Sequence, residues 1–258
     1  MKLSGNTILI TGGSRGIGLA FAKKLVELDN EVIITGRNQA ALDAAAKEHP
    51  KLKTICSDAG SAKAITELAR EMKEKYPKLN VLFNNAGVMS YRRLAAPEGL
   101  DALTSEIDIN LSGPIRLVSA MIEQLKANKG TIINVSSGLA FVPLPASPIY
   151  CATKAAMHSY TLSLRSQLAE HGVEVIELMP PAVKTELAPI ADDGRVKYIT
   201  TDELVDTTMK ALAKGKLEIR PGQANQLRFM SRWAPNFIQG QLAKATKDLI
   251  PPGPGDGR

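Results

Sequence analysis

The chain is poor in residues that would point to stapled, metal-bound or membrane-spanning proteins. It has two cysteines, Cys56 and Cys151, far apart and in different expected elements. That excludes a disulfide-stapled scaffold and is the pattern of two reduced, buried thiols in a cytoplasmic protein. Three histidines, His49, His158 and His171, stand at no ligand spacing and are expected at surfaces or helix ends, so no metal is expected. No run of eighteen apolar residues exists, which excludes a membrane-spanning helix. Met1-Lys2-Leu3-Ser4-Gly5 leads directly into the first expected strand, so no signal peptide is expected. Acidic residues are scarce only at one end. From Lys210 to Arg258 there are nine Lys/Arg against three Asp/Glu, whereas the first 209 residues are balanced at 23 each. The net +6 therefore describes a solvated terminal region, and no basic-aromatic motif indicates nucleic acid.

What is present is a regular alternation. With 258 residues, 44% of them apolar, the chain can fill one large α/β core. Strands are expected at Thr7–Thr11, Glu31–Thr35, Lys53–Cys56, Val81–Phe83, Thr131–Val135, Val175–Met179 and Leu217–Arg220. Helices are expected at Gly16–Leu28, Gln39–His49, Ala62–Tyr76, Leu100–Ala127, Ile149–His171 and Thr201–Ala213. Such alternation predicts a Rossmann-type, doubly wound, seven-stranded parallel sheet with helices on both faces. Gly113-Pro114 predicts a bend in the fourth helix. Residues 1–222 read as one catalytic body without repeat or linker. Within it the stretch Glu186–Tyr198, with Pro189 and Ala191-Asp192-Asp193-Gly194, has the composition of a mobile lid loop, assigned to 186–200. Residues 223–250 add a helical extension, and 251–258 read as a disordered tail.

The first strand runs into Gly12-Gly13-Ser14-Arg15-Gly16-Ile17-Gly18, followed by a helical apolar pattern. Strand, glycine turn and helix form the context in which backbone approaches a pyrophosphate at a helix N-terminus. No Gly-Lys-Ser/Thr closes the turn, so it is not a P-loop. Further on, Tyr150 and Lys154 are four apart and share one helix face, with Ser137 thirteen residues before the tyrosine. A neighbouring ammonium favours the phenolate, so Lys154 is expected to lower the Tyr150 pKa toward the range of acid–base catalysis.

In order, Thr11-Gly12-x3-Gly16-x-Gly18, Asp58, Asn84-Asn85-Ala86-Gly87, Asn110, Ser137, Tyr150-x3-Lys154 and Pro180 with Val183 and Thr185 resemble the short-chain dehydrogenases/reductases. The resemblance covers about residues 5–222, and the tail is similar to a DltE-like subgroup. It implies hydride transfer between a nicotinamide and a carbonyl or secondary alcohol. Tyr150 would move the proton, Ser137 would hydrogen-bond the reacting oxygen, and Lys154 would tune the tyrosine and hold the nicotinamide ribose. Asn110 would position a water behind Lys154. The cofactor would lie against Gly12, Ser14, Arg15, Gly16, Ile17, Gly18, Arg37, Asp58, Asn85, Ala86, Gly87, Tyr150, Lys154, Pro180, Val183 and Thr185. Asp58 would accept the adenine amino group, although by itself it reads as a helix cap. The second strand ends Thr35-Gly36-Arg37-Asn38 with no acidic residue for a ribose 2′-hydroxyl. Arg37 and Arg15 instead suit a 2′-phosphate, so NADP(H) is the expected cofactor. Pro181 stands where the family often has glycine, which removes an amide donor.

Met89, Phe141, Val142, Leu144, Pro181 and Leu187 are expected near the reacting centre, implying a small hydrophobic carbonyl or alcohol substrate. The resemblance also implies a homodimer or homotetramer through the helices at Leu100–Ala127 and Ile149–His171. The stripe Leu227, Met230, Trp233, Ala234, Phe237 and Ile238, interrupted by Pro235, needs a partner. Docking on the domain beside the lid loop is favoured over contact with a second subunit or with an anionic membrane surface. A catalytically silent NADP(H)-binding regulator is the alternative on the same fold, and intact Ser137, Tyr150 and Lys154 weigh against it. A longer epimerase or dehydratase is disfavoured by length and glycine spacing.

Overall fold

Apolar, β-branched runs form the strands because each can be buried on both faces. In the computed structural model, which describes residues 1–96, 99–187 and 197–251, these are β1 (Thr7–Thr11), β2 (Glu31–Gly36), β3 (Lys53–Cys56), β4 (Leu79–Asn84), β5 (Thr131–Val135), β6 (Glu174–Leu178) and β7 (Glu218–Ile219). All pair in parallel in the order β3-β2-β1-β4-β5-β6-β7. Between them run α1 (Gly16–Glu27), α2 (Gln39–Glu48), α3 (Ala62–Lys75), α4 (Leu100–Ile107), α5 (Gly113–Ala127), α6 (Pro148–Leu168) and α7 (Thr201–Ala213). Caps fix several starts: the Asn38 side chain accepts from Ala41 N, Ser61 from Ala64 N, and Thr200 and Glu203 form a reciprocal capping box.

The two-residue period of the strands divides the core. Ile8, Ile10, Ile34, Phe83 and Leu178 pack with Phe21 of α1, Leu42 of α2 and Leu204 of α7. Leu9, Ile33, Leu82, Ile132 and Val175 pack on the other face with Ile65 of α3, Leu117 of α5 and Leu164 of α6. The chain reverses direction across the sheet between β1 and β4, and a cleft opens there at the carboxyl ends of the strands, where such sheets bind ligands.

The helix expected over Leu100–Ala127 is continuous in direction but not uniform. A π-helical turn, Asp108–Ser112, separates α4 from α5. Gly113-Pro114 opens α5 rather than breaking it, because proline is tolerated in a first helical turn. The glycine is needed for packing: a Cβ at Gly113 would lie 2.2 Å from the Ala59 carbonyl oxygen.

The C-terminal stripe resolves into α8 (Gln223–Trp233) and α9 (Pro235–Ala245), with Pro235 in the first turn of α9. Leu227, Met230 and Ile238 line the cleft. Trp233 and Phe237 do not join them, being 77% and 59% exposed, because the proline restarts the helix and splits the stripe between two faces. The lid expectation at 188–196 and the tail at 252–258 lie outside the described residues.

Candidate active site

The cleft, about 720 Å³, joins the glycine turn to the Tyr150 region. Its glycines test whether a dinucleotide fits. Gly12 and Gly16 adopt φ of +64° and +55°, which glycine alone takes without strain. A Cβ on Gly12 would stand 2.9 Å from the Ala86 Cα, and one on Gly18 would stand 2.5 Å from both Asn85 Nδ2 and the Gly12 carbonyl oxygen. The turn is therefore packed backbone-on-backbone against the end of β4, with its outer side open to the cleft. Asn85 Nδ2 donates to the carbonyls of Thr11 and Gly12 (2.9 and 3.1 Å), and the Thr11 hydroxyl accepts from the amides of Asn85 and Ala86. Asn85 thus shapes the turn while its backbone lines the cleft. These residues fit a pyrophosphate-bearing dinucleotide.

The proton-handling groups converge at the other end. Tyr150 and Lys154 are buried on one face of α6, with the Lys154 Nζ 5.5 Å from the Tyr150 ring centre. Lys154 Nζ donates to the Val135 carbonyl at 2.8 Å. The Ser137 hydroxyl accepts from Leu139 N at 3.1 Å and acts on the Tyr150 phenol to lower its pKa. The adjacent Ser136 hydroxyl points away, donating to Glu177 Oε1 at 2.5 Å. Asn110 sits in the π-helical turn, 1% exposed, exchanging 2.8 Å bonds with the backbone of Val88 and donating to the Thr153 hydroxyl at 3.2 Å. The extra residue of a π turn re-aims a side chain, and here it carries Asn110 to within 3.4 Å of a Cβ built on Gly87.

The net shift of Tyr150 runs opposite to the one expected from Lys154. Burial pushes the Tyr150 phenol up to about 12, and the influence of Ser137 only partly offsets this. Burial likewise pushes Lys154 down to about 8. Desolvation opposes both charged forms, and an ammonium 5.5 Å from the ring centre, already bonded to a carbonyl, does not overcome it. Near neutrality Tyr150 is a phenol and Lys154 is mostly an ammonium, the combination that donates a proton.

Arg15 and Arg37 both border the cleft and are exposed. Arg15 pairs with Glu186 at 2.9 Å across open solvent, an exposed pair of small energetic consequence. Asp58 also lines the cleft; its side chain accepts from Gly60 N at 2.9 Å, and the cap of α3 is Ser61 instead. Pro180 accepts from Gly138 N at 3.0 Å, and Val183 bridges to Ile199, which ties down the strand end ahead of Thr185. Ile17, Ala86, Gly87 and Thr185 complete the lining.

Met89, Leu144, Pro181 and Leu187 border the cleft as expected, joined by Leu139 and Leu242. Phe141 and Val142 do not line it: Phe141 turns its ring to His158, and Val142 is 2% exposed. His158 is only partly at the surface, its side chain 21% exposed and its Nδ1 2.8 Å from the buried Glu177. Cys56 is exposed because β3 is an edge strand, whereas burial pushes the Cys151 thiol up to about 11. Ser57 and Ile109 also line the cleft without having stood out in the sequence. Ser57 adjoins Asp58 at the end of β3, a position that could have marked it; Ile109 faces the cleft only because of the π turn.

Comparison with known proteins agrees with this geometry. The sequence model of the short chain dehydrogenases matches residues 6–194, and the chain belongs to that family. It is 41% identical over 239 residues to the uncharacterized oxidoreductase DltE of Bacillus subtilis, covering 90% of this chain and 94% of the relative. Among solved structures, a short chain dehydrogenase from Burkholderia cenocepacia in complex with NADP superposes with a TM-score of 0.81 at 26% identity, covering 98% of this chain and all of that one. A 3-ketoacyl-(acyl-carrier-protein) reductase from Brucella melitensis complexed with NADH gives 0.75 at 25% identity, covering 81% and 91%. The protein is thus an oxidoreductase of this family. No helix among the described residues is long and apolar enough to cross a membrane.

Proposed function

We propose that the protein transfers a hydride between NADP(H) and a hydrophobic carbonyl or secondary alcohol. The observation that carries this reading is the buried Tyr150, flanked by Lys154 and sharing with Ser137 the lining of one glycine-walled cleft. A bound nicotinamide cofactor supplies or accepts the hydride at ring carbon C4. Tyr150 donates its proton to the carbonyl oxygen in reduction and takes it back in oxidation. Ser137 hydrogen-bonds the same oxygen and stabilises its developing charge. Lys154 holds the nicotinamide ribose and supplies positive charge beside the phenol, while Asn110 orders the chain around Val88 and Thr153 behind it. Val183 and Thr185 meet the carboxamide, and Asp58 meets the adenine.

Arg15 and Arg37 support NADP(H), since the glycine turn and the end of β2 each bring a guanidinium to the cleft for a 2′-phosphate, and the end of β2 offers no carboxylate to a 2′-hydroxyl. The NADP-bound Burkholderia relative supports the same choice. The apolar wall of Met89, Leu139, Leu144, Leu227, Met230 and Ile238 supports an uncharged substrate. Ile107, Ile115 and Leu162, exposed on the outer faces of the α4–α5 and α6 helices, support self-association with twofold symmetry. Light scattering should then show a dimer or tetramer at micromolar concentration; a strict monomer ends that part of the reading. The test of function is a panel of aldehydes, ketones and secondary alcohols followed by NADPH absorbance in both directions, with NADH in parallel. Turnover of hydrophobic members with NADPH is expected, and inactivity across the panel with intact NADPH binding would instead indicate a regulatory binder.

A further inference from the structure

β6 carries a carboxylate that the proposed reaction does not use. Glu177 has no solvent exposure. Its Oε1 accepts from the Ser136 hydroxyl at 2.5 Å, and its Oε2 lies 2.8 Å from His158 Nδ1. Val175, two residues earlier on the same face, belongs to the apolar core under α6. An aliphatic residue at 177 would extend that core without desolvating a charge, so the glutamate is costly to stability where it stands.

Its surroundings change character toward the cleft. Asn84 donates to Asn134 at 2.9 Å, and Asn134 donates to Thr161 at 3.0 Å, so the next polar groups under α6 are neutral. Lys154 and His158 lie one turn apart on α6, one reaching β5 and the other β6. Of the ionisable groups that face Lys154, β6 contributes Glu177 and α6 contributes Tyr150. From β5 and the turn after it come the Val135 carbonyl and the hydroxyls of Ser136 and Ser137; from the π-helical turn comes Asn110, uncharged. Glu106 of α4, also buried, is taken by Arg92 and the Ser90 amide. On its outer side His158 meets the Phe141 ring edge-on at 5.2 Å, and Arg228 of α8 lies 5.9 Å from that ring.

We propose that Glu177, held in place by Ser136 and His158, is a positioning residue whose buried negative charge keeps Lys154 in its ammonium form through the working pH range and fixes the strand end that presents Ser137. This rests on the reading of Tyr150, Lys154 and Ser137 as the reaction centre. The charge of Glu177 acts against the fall in Lys154 basicity that burial causes. Without it the ammonium would be lost at lower pH.

The test is the pH profile of carbonyl reduction by NADPH in Glu177→Gln. Glutamine keeps the shape while removing the charge; it can accept from one of Ser136 and His158 and donate to the hydroxyl oxygen or the unprotonated ring nitrogen of the other. The alkaline limb of kcat/KM should move down by about one pH unit, with the thermal midpoint close to wild type. A lower rate at every pH with an unmoved limb would reveal a merely structural glutamate and overturn the proposal, as would a wild-type profile. If Glu177→Gln does not fold, His158→Asn is measured. It withdraws the imidazole from Glu177 and should move the limb in the same direction by less; an unmoved limb overturns the proposal. Tyr150→Phe is assayed alongside. Near-normal turnover there would overturn both this proposal and the reaction-centre reading, whereas an inert Tyr150→Phe with an unmoved Glu177→Gln limb overturns only the role of Glu177.

Discussion

At the carboxyl end of β1 the sheet meets its helix through missing side chains: Gly12 and Gly18 let backbone close on backbone, and Gly16 supplies a positive φ. At the carboxyl ends of β4, β5 and β6 it meets α6 through buried polar side chains, Asn84, Asn134, Ser136, Lys154 and Glu177. The two halves of one sheet thus treat polarity in opposite ways. At the glycine turn the chain clears space, as the proposed dinucleotide site requires. Around Tyr150 and Lys154 desolvation shifts ionisation instead, the phenol up to about 12 and the ammonium down to about 8.

The comparison can be broken most severely at Tyr150. Tyr150→Phe should cost at least about 10²–10⁴-fold in turnover, while NADPH binding by fluorescence titration stays near wild type. The mirror experiment, Gly18→Ala, should do the reverse: a Cβ 2.5 Å from backbone forces the turn open, so NADPH affinity and about 1–3 kcal/mol of stability should be lost together, as read by titration and denaturant unfolding. Ser137→Ala should lower kcat by about a hundredfold. If Ser136→Ala is the more damaging change, the serines have exchanged roles. Arg37→Asp should reduce the NADPH/NADH ratio of specificity constants by about tenfold or more, and an unchanged ratio would place the 2′-phosphate elsewhere. Wild-type carbonyl reduction should be flat below neutrality and fall as pH rises through about 8, where the lowered Lys154 loses its proton; the tyrosine, raised by burial, stays protonated throughout that window. The smallest effect is expected from truncation after Gly222. It removes Leu227, Met230 and Ile238 from the cleft wall, and should raise KM for substrate a few-fold while sparing NADPH affinity.

Much of the scaffold could be read without coordinates. β1, β3, β5 and α7 occupy the residues expected of them, and the other shared elements differ by up to three residues at an end, α6 stopping at Leu168 where His171 was expected. Fraying at termini is local and weakly encoded, so such differences carry no functional weight. The glycine turn was legible because steric demand at a positive φ selects one residue type. The bend was expected from the Gly113-Pro114 pair, whereas the irregularity in this helix is the π turn just before it, which has no letter code; Gly113 itself is required by the nearby Ala59 carbonyl.

The sequence by itself determined the strand–helix alternation, the family, and the helical proximity of Tyr150 and Lys154, since each rests on local spacing. The tertiary structure decided what spacing cannot contain. It set the direction of the Tyr150 shift, because desolvation is a property of everything packed around the ring. It drew His158 inward to Glu177 from a strand nineteen residues away. It divided the C-terminal stripe between the cleft and solvent. Burial and long-range pairing are sums over neighbours brought together by the fold, and no short segment of chain records them.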